Sequence, residues 1–154
     1  GKFETLVTEV EGRPLKFCSN VVESSDGTLY FTESTDRFHY EFYKGAALEG
    51  RGSGALFRRD PDGTVTALLA GLYFANGVTL TADESAVVFA ETIGARLSKF
   101  WLTGPDEGTV TPLVDQLPGY PDNISTGPDG RIWVAMVASN RRVAWGSSII
   151  GAMP

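Results

Sequence analysis

The stretch that decides the fold is ANGVTLTADESAVVFAET, residues 75–92. It runs from an Asn-bearing segment through an acidic turn into an apolar strand. The same order occurs in SNVVESSDGTLYFTES (residues 19–34) and in DNISTGPDGRIWVAM (residues 122–136), and the three asparagines lie 56 and 47 positions apart. A period of about 50 residues made of short strands and polar turns is typical of β-propeller blades. The sequence therefore predicts an all-β propeller fold.

Each of the first two periods accommodates the four antiparallel strands of a blade. These strands are predicted at residues 20–23, 28–33, 55–59 and 65–69, and at residues 77–80, 86–91, 96–101 and 110–115. The third period has clear strands at residues 124–125 and 131–136 and a candidate third strand at Val143–Trp145. Phe3–Glu9 is interpreted as an outer strand without a blade of its own. We expect about three blades and almost no helix.

Composition and charge narrow the classes of protein and of partner. With 154 residues the chain can bury one core, and its net charge of −6 and pI of about 4.7 argue against nucleic acid as a partner. One cysteine, Cys18, excludes an intrachain disulfide, and its apolar surroundings predict a buried, inert thiol. No apolar run has the length of a signal peptide or a membrane span, so a soluble, cytoplasmic protein without membrane contact is expected.

The longest irregular segment is Ser34–Gly54, inside the first blade. It carries the aromatic or ring-bearing residues His39, Tyr40, Phe42 and Tyr43, which is too aromatic a set for simple disorder. Two interpretations stay open. The segment is either a lid or one wall of a substrate pocket, or it is a loop that packs its rings on a neighbouring blade.

The sequence favours a site built from side-chain oxygen atoms over a nucleophilic triad or a zinc site. A single histidine without a Gly-x-Ser-x-Gly motif speaks against a Ser-His-Asp triad, and no His/Cys cluster suits zinc. Asn20, Asn76, Asp122 and Asn123 supply amide and carboxylate oxygens that Ca²⁺ prefers, and a propeller could bring them to its axis. The alternative is that these asparagines cap turns at strand starts. The sequence leaves both open, and it assigns no catalytic residue.

Several longer motifs resemble one protein family. They are GRPLKFC (12–18), LYFTES (29–34), GLYFANGV (71–78), AET (90–92), FWLTGP (100–105) and LPGYPDNI (117–124). Together they resemble the strictosidine synthase-like branch of the six-bladed propeller superfamily, which also includes the senescence-marker/gluconolactonase proteins and the paraoxonases. The resemblance covers residues 1–138, interpreted as half of a six-bladed propeller, and leaves 139–154 as a divergent tail.

The resemblance implies a central Ca²⁺ held by a first-blade glutamate and by Asn or Asp residues of later blades. Asn76 matches one ligand position, and Asp122 with Asn123 matches the next. The earlier position falls on Ser19 or on a shifted Asn20. The first-blade glutamate and the glutamate of alkaloid condensation have no counterpart in these residues, so strictosidine synthase activity is not expected.

Two functions from different classes follow from these observations. The first is a Ca²⁺-dependent hydrolase of small lactones or esters. The second is a catalytically silent, truncated propeller that serves as an assembly or binding module. In either case we expect a homodimer in which Phe3–Glu9 of each copy completes the third blade of the other and closes a six-bladed ring.

Overall fold

The computed structural model consists mainly of three antiparallel sheets. In each sheet, strands that are consecutive in the sequence pair with one another as a meander. The model describes residues 2–139 and 151–153. The first sheet is β3 (Phe17–Glu23), β4 (Leu29–Thr35), β5 (Gly54–Arg59) and β6 (Val65–Leu72), and the second is β7 (Ala75–Leu80), β8 (Ala86–Glu91), β9 (Arg96–Trp101) and β10 (Val110–Val114). The third is β11 (Gly119–Thr126), β12 (Ile132–Ser139) and β13 (Gly151–Met153). We call these sheets blades 1, 2 and 3, and the predicted partial propeller is confirmed.

Apolar side chains fill the space between consecutive blades. The cluster between blades 1 and 2 includes Tyr30, Leu56, Val78 and Phe89, and a second cluster between blades 2 and 3 includes Val88. The strand β8 is buried along its whole length because both of its faces lie against a neighbouring blade. This explains why its sequence is a continuous apolar run rather than an alternating one.

The first strand of every blade lies beside the first strand of the next. β7 contacts both β3 and β11. At Gly77 the approach is so close that an added Cβ would lie 2.4 Å from the carbonyl oxygen of Asp122 and 2.5 Å from the backbone nitrogen of Ile124. Glycine is therefore required there, because any side chain would meet the backbone of blade 3.

The N-terminal segment differs from the prediction. Only Glu9 of the predicted strand Phe3–Glu9 is in a strand: β1 (Glu9–Val10) pairs with β2 (Arg13–Pro14) in a small hairpin. Phe3 is fully exposed and has no strand to pair with in the single chain, whereas Val10 is buried against the blade 1 core. The predicted strand at Phe3–Glu9 is therefore wrong for the single chain.

Two further predictions need correction. The segment between β4 and β5 contains a 3-10 turn (Tyr40–Phe42) and helix α1 (Tyr43–Glu49), which ends at Gly50 in the left-handed conformation. The Ala-rich end of this segment and its Gly cap favour the helix. Cys18 is exposed rather than buried, since β3 alternates between its two faces and Cys18 falls on the outer one.

Two remaining points concern the tail and the membrane. The candidate third strand at Val143–Trp145 lies outside the described residues, and β13 pairs with β12 at the third-strand position of blade 3. Within the described ranges, no helix has the length and the apolar character needed to cross a bilayer.

Candidate functional site

A short polar network joins blades 2 and 3 at the start of their first strands. The Asn76 side-chain amide donates to the Asp122 carboxylate and, at 3.2 Å, to the Thr92 hydroxyl. The Thr92 hydroxyl in turn donates to the Pro121 carbonyl at 2.7 Å. This network fixes the Asn76 side chain beside Asp122, two of the four residues that the sequence proposed as ligands of one ion.

Blade 1 repeats the same network with smaller side chains. The Ser19 and Ser34 hydroxyl oxygens are 2.5 Å apart, and Ser34 donates to the Ala75 carbonyl at 2.7 Å. Ser19 thus occupies in blade 1 the position that Asn76 occupies in blade 2. Of the two residues left open by the sequence for this position, the structure aligns Ser19 with Asn76.

Asn20 and Asn123 form a separate pair. The Asn20 amide donates to the Asn123 side-chain oxygen at 3.2 Å, which joins blade 1 directly to blade 3. Both residues lie one position beyond the Asn76-type position of their strands, where blade 2 has Gly77. The four candidate ligands are therefore divided into a pair at Asn76 and Asp122 and a pair at Asn20 and Asn123.

A cleft of about 630 Å³ opens beside the first of these pairs. Its polar groups are Asn76, Thr92 and Asp122. The other lining residues are apolar or aromatic: Phe17, Tyr40, Tyr43, Ala47, Phe74, Ile93, Tyr120 and Val137. Neither Asn20 nor Asn123 is among them. A few polar groups in an otherwise apolar cleft are what small-molecule sites usually present.

The segment between β4 and β5, for which the sequence left a lid, a pocket wall or a packing loop open, forms one wall of this cleft. Tyr40 meets Phe17 edge to face with ring centroids 5.4 Å apart, and Phe17 meets Phe74 in the same way at 5.6 Å. Tyr43 stacks on Tyr40. The structure thus places Tyr40 and Tyr43 at the site.

The other two candidate lid residues, His39 and Phe42, are exposed and do not line the cleft. His39 immediately precedes the 3-10 turn, and Phe42 lies at the junction between this turn and α1. All four aromatic or ring-bearing residues are exposed, Phe42 at 66% and Tyr40 at 68%, so only their position relative to the cleft separates them.

Two buried carboxylates support the strands that carry the site. The Glu33 carboxylate accepts hydrogen bonds from Nη1 and Nη2 of Arg13 at 3.2 and 2.7 Å. The Glu91 carboxylate accepts hydrogen bonds from Nε and Nη2 of Arg96 at 2.6 and 3.0 Å. Hydrogen bonds to these carboxylates raise the pKa of Arg13 and of Arg96. Neither glutamate lines the cleft, and among the described lining residues Asp122 is the one carboxylate.

The donor set at Asn76 and Asp122 fits a calcium ion in its chemistry. Among the residues that the model describes, Asn76 Oδ1 and the second carboxylate oxygen of Asp122 take part in no hydrogen bond or ion pair. Both are hard oxygens. The same described residues contain no group of three His, Cys, Asp or Glu side chains that could hold a metal. An ion here would depend on amide oxygens and on one carboxylate.

Sequence reasoning did not single out several residues that the structure places at the site. Thr92 and Ser34 were seen only as parts of motifs, although each follows a repeated glutamate and precedes a turn. Phe74 was missed because its left-handed backbone (φ 61°) turns the ring into the cleft, and no residue preference predicts that conformation for phenylalanine.

Comparisons with known proteins agree with this architecture. The family model for strictosidine synthase matches residues 20–105. The chain is similar to strictosidine synthase-like 13 of Arabidopsis thaliana, with 39% identity over 132 residues that cover 85% of this chain and 32% of that protein. It is also similar to the adipocyte plasma membrane-associated protein of Salmo salar, with 38% identity over 131 residues, or 84% of this chain and 32% of that protein. The chain spans about a third of the length of these relatives.

Solved structures with low sequence identity share the fold. A gluconolactonase from Xanthomonas campestris superposes with a TM-score of 0.65 at 17% identity over 84% of this chain and 44% of that one. Regucalcin from Agrobacterium tumefaciens, a calcium-binding protein, superposes with a TM-score of 0.61 at 20% identity over 77% of this chain and 38% of that one. At these identities the likeness shows the propeller fold alone.

Proposed function

The chain belongs to the strictosidine synthase family, and from this premise we propose that its cleft is the site of a Ca²⁺-dependent hydrolase of small lactones or esters. The observation that carries the proposal is the Asn76–Asp122 pair at the cleft, with free oxygens on both side chains. The calcium-binding regucalcin and the gluconolactonase among the structural neighbours support it.

Asn76 and Asp122 would hold the ion, together with oxygens from water or from other parts of the whole protein, because Ca²⁺ takes six to eight oxygen ligands. Bound there, it would act as a Lewis acid on a substrate carbonyl. Thr92 keeps the Asn76 side chain in place through the hydrogen bond described above. The apolar and aromatic walls would bind an apolar substituent, so substrates with apolar or aryl groups suit the cleft better than polyhydroxylated ones.

Turnover of a panel of lactones and aryl esters, measured with and without a chelator, tests this function. Chelator-sensitive hydrolysis is expected. A protein that turns over no substrate at high concentration would contradict the proposal. It would favour the second candidate, a binding module without catalysis, for which the single carboxylate among the described lining residues is the supporting observation.

The metal ligands are tested separately from turnover. At a Ca²⁺ concentration of about 100 times Kd, binding to the folded state adds about 2.7 kcal/mol, which for a chain of this size corresponds to a rise in Tm of about 5–11 °C. Asn76→Ala should diminish this rise. Asn20→Ala is the matched control, because Asn20 lies outside the cleft lining. An equal loss in both variants, or in neither, would contradict the assignment of Asn76.

The homodimer also remains a proposal. In the single chain, residues 3–8 form no strand, and among the described residues β13 pairs only with β12, so both are available for pairing with a second copy. Light scattering at micromolar concentration should give twice the chain mass of 16.5 kDa. Deletion of residues 1–6, which spares the buried Val10, should return the monomer. A stable monomer of the full chain would refute the dimer.

A further inference from the structure

Glu33 and Glu91, each of which pairs with an arginine of its own, have a second contact in common. Each also accepts a backbone N–H, from Lys16 at 2.9 Å and from Tyr73 at 2.8 Å. In both blades the donor lies three residues before the residue that begins the polar network, Ser19 or Asn76. The repeat indicates that the carboxylate fixes the backbone just before the first strand of blade 1 and of blade 2.

The entry into β7 needs such support because its backbone is unfavourable. Gly71 and Phe74 are both left-handed, with φ of 77° and 61°. For phenylalanine this conformation costs about 1–2 kcal/mol. The turn persists because the end of β8 holds it: Thr92 donates its backbone N–H to the Phe74 carbonyl at 3.0 Å, and Ile93 donates to the Tyr73 carbonyl at 3.3 Å.

The Glu91 carboxylate adds a further hydrogen bond to this turn, from the Tyr73 N–H, and this carboxylate is almost fully buried. Arg96 neutralises it and also lies over the Tyr73 ring, 5.9 Å from the ring centroid. Phe74 and Asn76, both of which line the cleft, lie one and three residues after Tyr73. A change at Tyr73 is therefore transmitted over one to three residues to the cleft.

Blade 3 lacks the buried carboxylate at the corresponding position. Met136 pairs with Pro121 in the register in which Glu91 pairs with Ala75, so a thioether replaces the carboxylate. Here the segment before Asp122 is already held by strand pairing of Gly119 with Ser139 and of Tyr120 with Ala138. The carboxylate is present where the strand entry leaves the sheet and absent where the entry is itself in the sheet.

We propose that Glu91 is a positioning residue: by accepting the Tyr73 N–H it holds the left-handed turn that directs Phe74 into the cleft and sets Asn76 for ligand binding. The role acts through the backbone of residues 73–76 and requires no contact with a ligand. Only its consequence for Ca²⁺ affinity rests on the function proposed above.

The test compares two double variants of the whole chain, Glu91→Gln/Arg96→Met and Glu91→Leu/Arg96→Met. Both remove the ion pair and keep similar side-chain volumes, but only glutamine retains an oxygen that accepts the Tyr73 N–H. Hydrogen exchange of the Tyr73 amide and the NMR signals of the Asn76 side-chain amide are measured without any ligand. We expect the leucine variant to exchange the Tyr73 proton about tenfold faster or more, with shifted Asn76 signals, while the glutamine variant resembles the wild type.

Equal exchange and equal Asn76 signals in the two variants would overturn the proposal, because the pair would then serve only to fill the interior. A Ca²⁺ titration of the same samples separates this outcome from a failure of the proposed function. If the ligand-free signals differ as expected and Ca²⁺ binds to none of the proteins, the positioning role stands and the metal site falls. If Ca²⁺ binds, its Kd should rise in the leucine variant alone.

Discussion

Replacing Gly77 by alanine tests whether the first strands of blades 2 and 3 depend on direct backbone contact. The new Cβ would lie 2.4 Å from the Asp122 carbonyl oxygen, 2.5 Å from the Ile124 nitrogen and 2.9 Å from the Asn123 carbonyl carbon. All three are backbone atoms, so no rotamer change can remove the clash. The two strands must move apart.

The size of the effect follows from these distances. Ordinary contacts of a Cβ begin at about 3.4 Å, so the strands would have to separate by about 1 Å at this point. Overpacking of a well-packed interior costs about 1–3 kcal/mol, and the rigid partners at Gly77 indicate the upper part of that range. We expect a loss of about 2–3 kcal/mol in the free energy of unfolding and a Tm lower by about 4–12 °C.

Urea unfolding followed by tryptophan fluorescence measures this loss. Gly45→Ala is the matched control, because it makes the same chemical change in helix α1, where the new Cβ would meet only the movable ring of Phe38 at 3.0 Å. That variant should be as stable as the wild type or slightly more stable. A Gly77→Ala protein within about 0.5 kcal/mol of the wild type would refute the close contact.

Two further predictions concern titratable groups. Hydrogen bonds from the Ser24 hydroxyl (2.6 Å) and the Thr28 N–H (2.9 Å) lower the pKa of Asp26 to about 2. The pKa of an aspartate in the unfolded chain is about 3.9. The ionised Asp26 side chain therefore stabilises the fold above pH 4, and this stabilisation is lost as the pH falls through 2. The stability difference between wild type and Asp26→Asn in urea should therefore shrink over that window, and a difference independent of pH would contradict the assignment. Partial desolvation, with a smaller contribution from Glu33, raises the pKa of Cys18 from 9.0 to about 11. The thiolate is then about a hundredfold scarcer but more nucleophilic, so alkylation at pH 7.5 should be about tenfold slower than that of a cysteine peptide; an equal rate would show that the exposed thiol is not desolvated.

The repeat made the fold predictable from the sequence. The turn and strand pattern around Asp26, Asp83 and Asp129 located both four-stranded blades and the first two strands of the third. The repeat did not predict the N-terminal hairpin, because the hairpin precedes the first repeat. Phe3–Glu9 was interpreted as a strand, but strand formation needs a partner edge, and among the described residues the single chain offers none at that place.

The candidate site was predictable in its composition but not in its grouping. Aligning the asparagines made Asn20 equivalent to Asn76, whereas the hydroxyl network aligns Ser19 with Asn76. A shift of one position along a strand moves a side chain to the other face, and only the contact with the next blade decides between the two. Helix α1 was missed because it is too short for its periodicity to be visible in the sequence.

The two arginines that neutralise the buried glutamates come from different places in the chain. Arg96 belongs to the strand next to Glu91, so blade 2 contains both charges within one sheet. Arg13 belongs to the hairpin before blade 1. A shortened protein that begins after Arg13 would leave Glu33 buried without its cation, and breaking a buried pair in this way costs about 3–5 kcal/mol. Blade 1 begins at Phe17, but a shortened protein has to begin at or before Glu9, eight residues upstream, to keep the whole hairpin and with it Arg13. Blade 2 carries its own arginine and sets no such requirement.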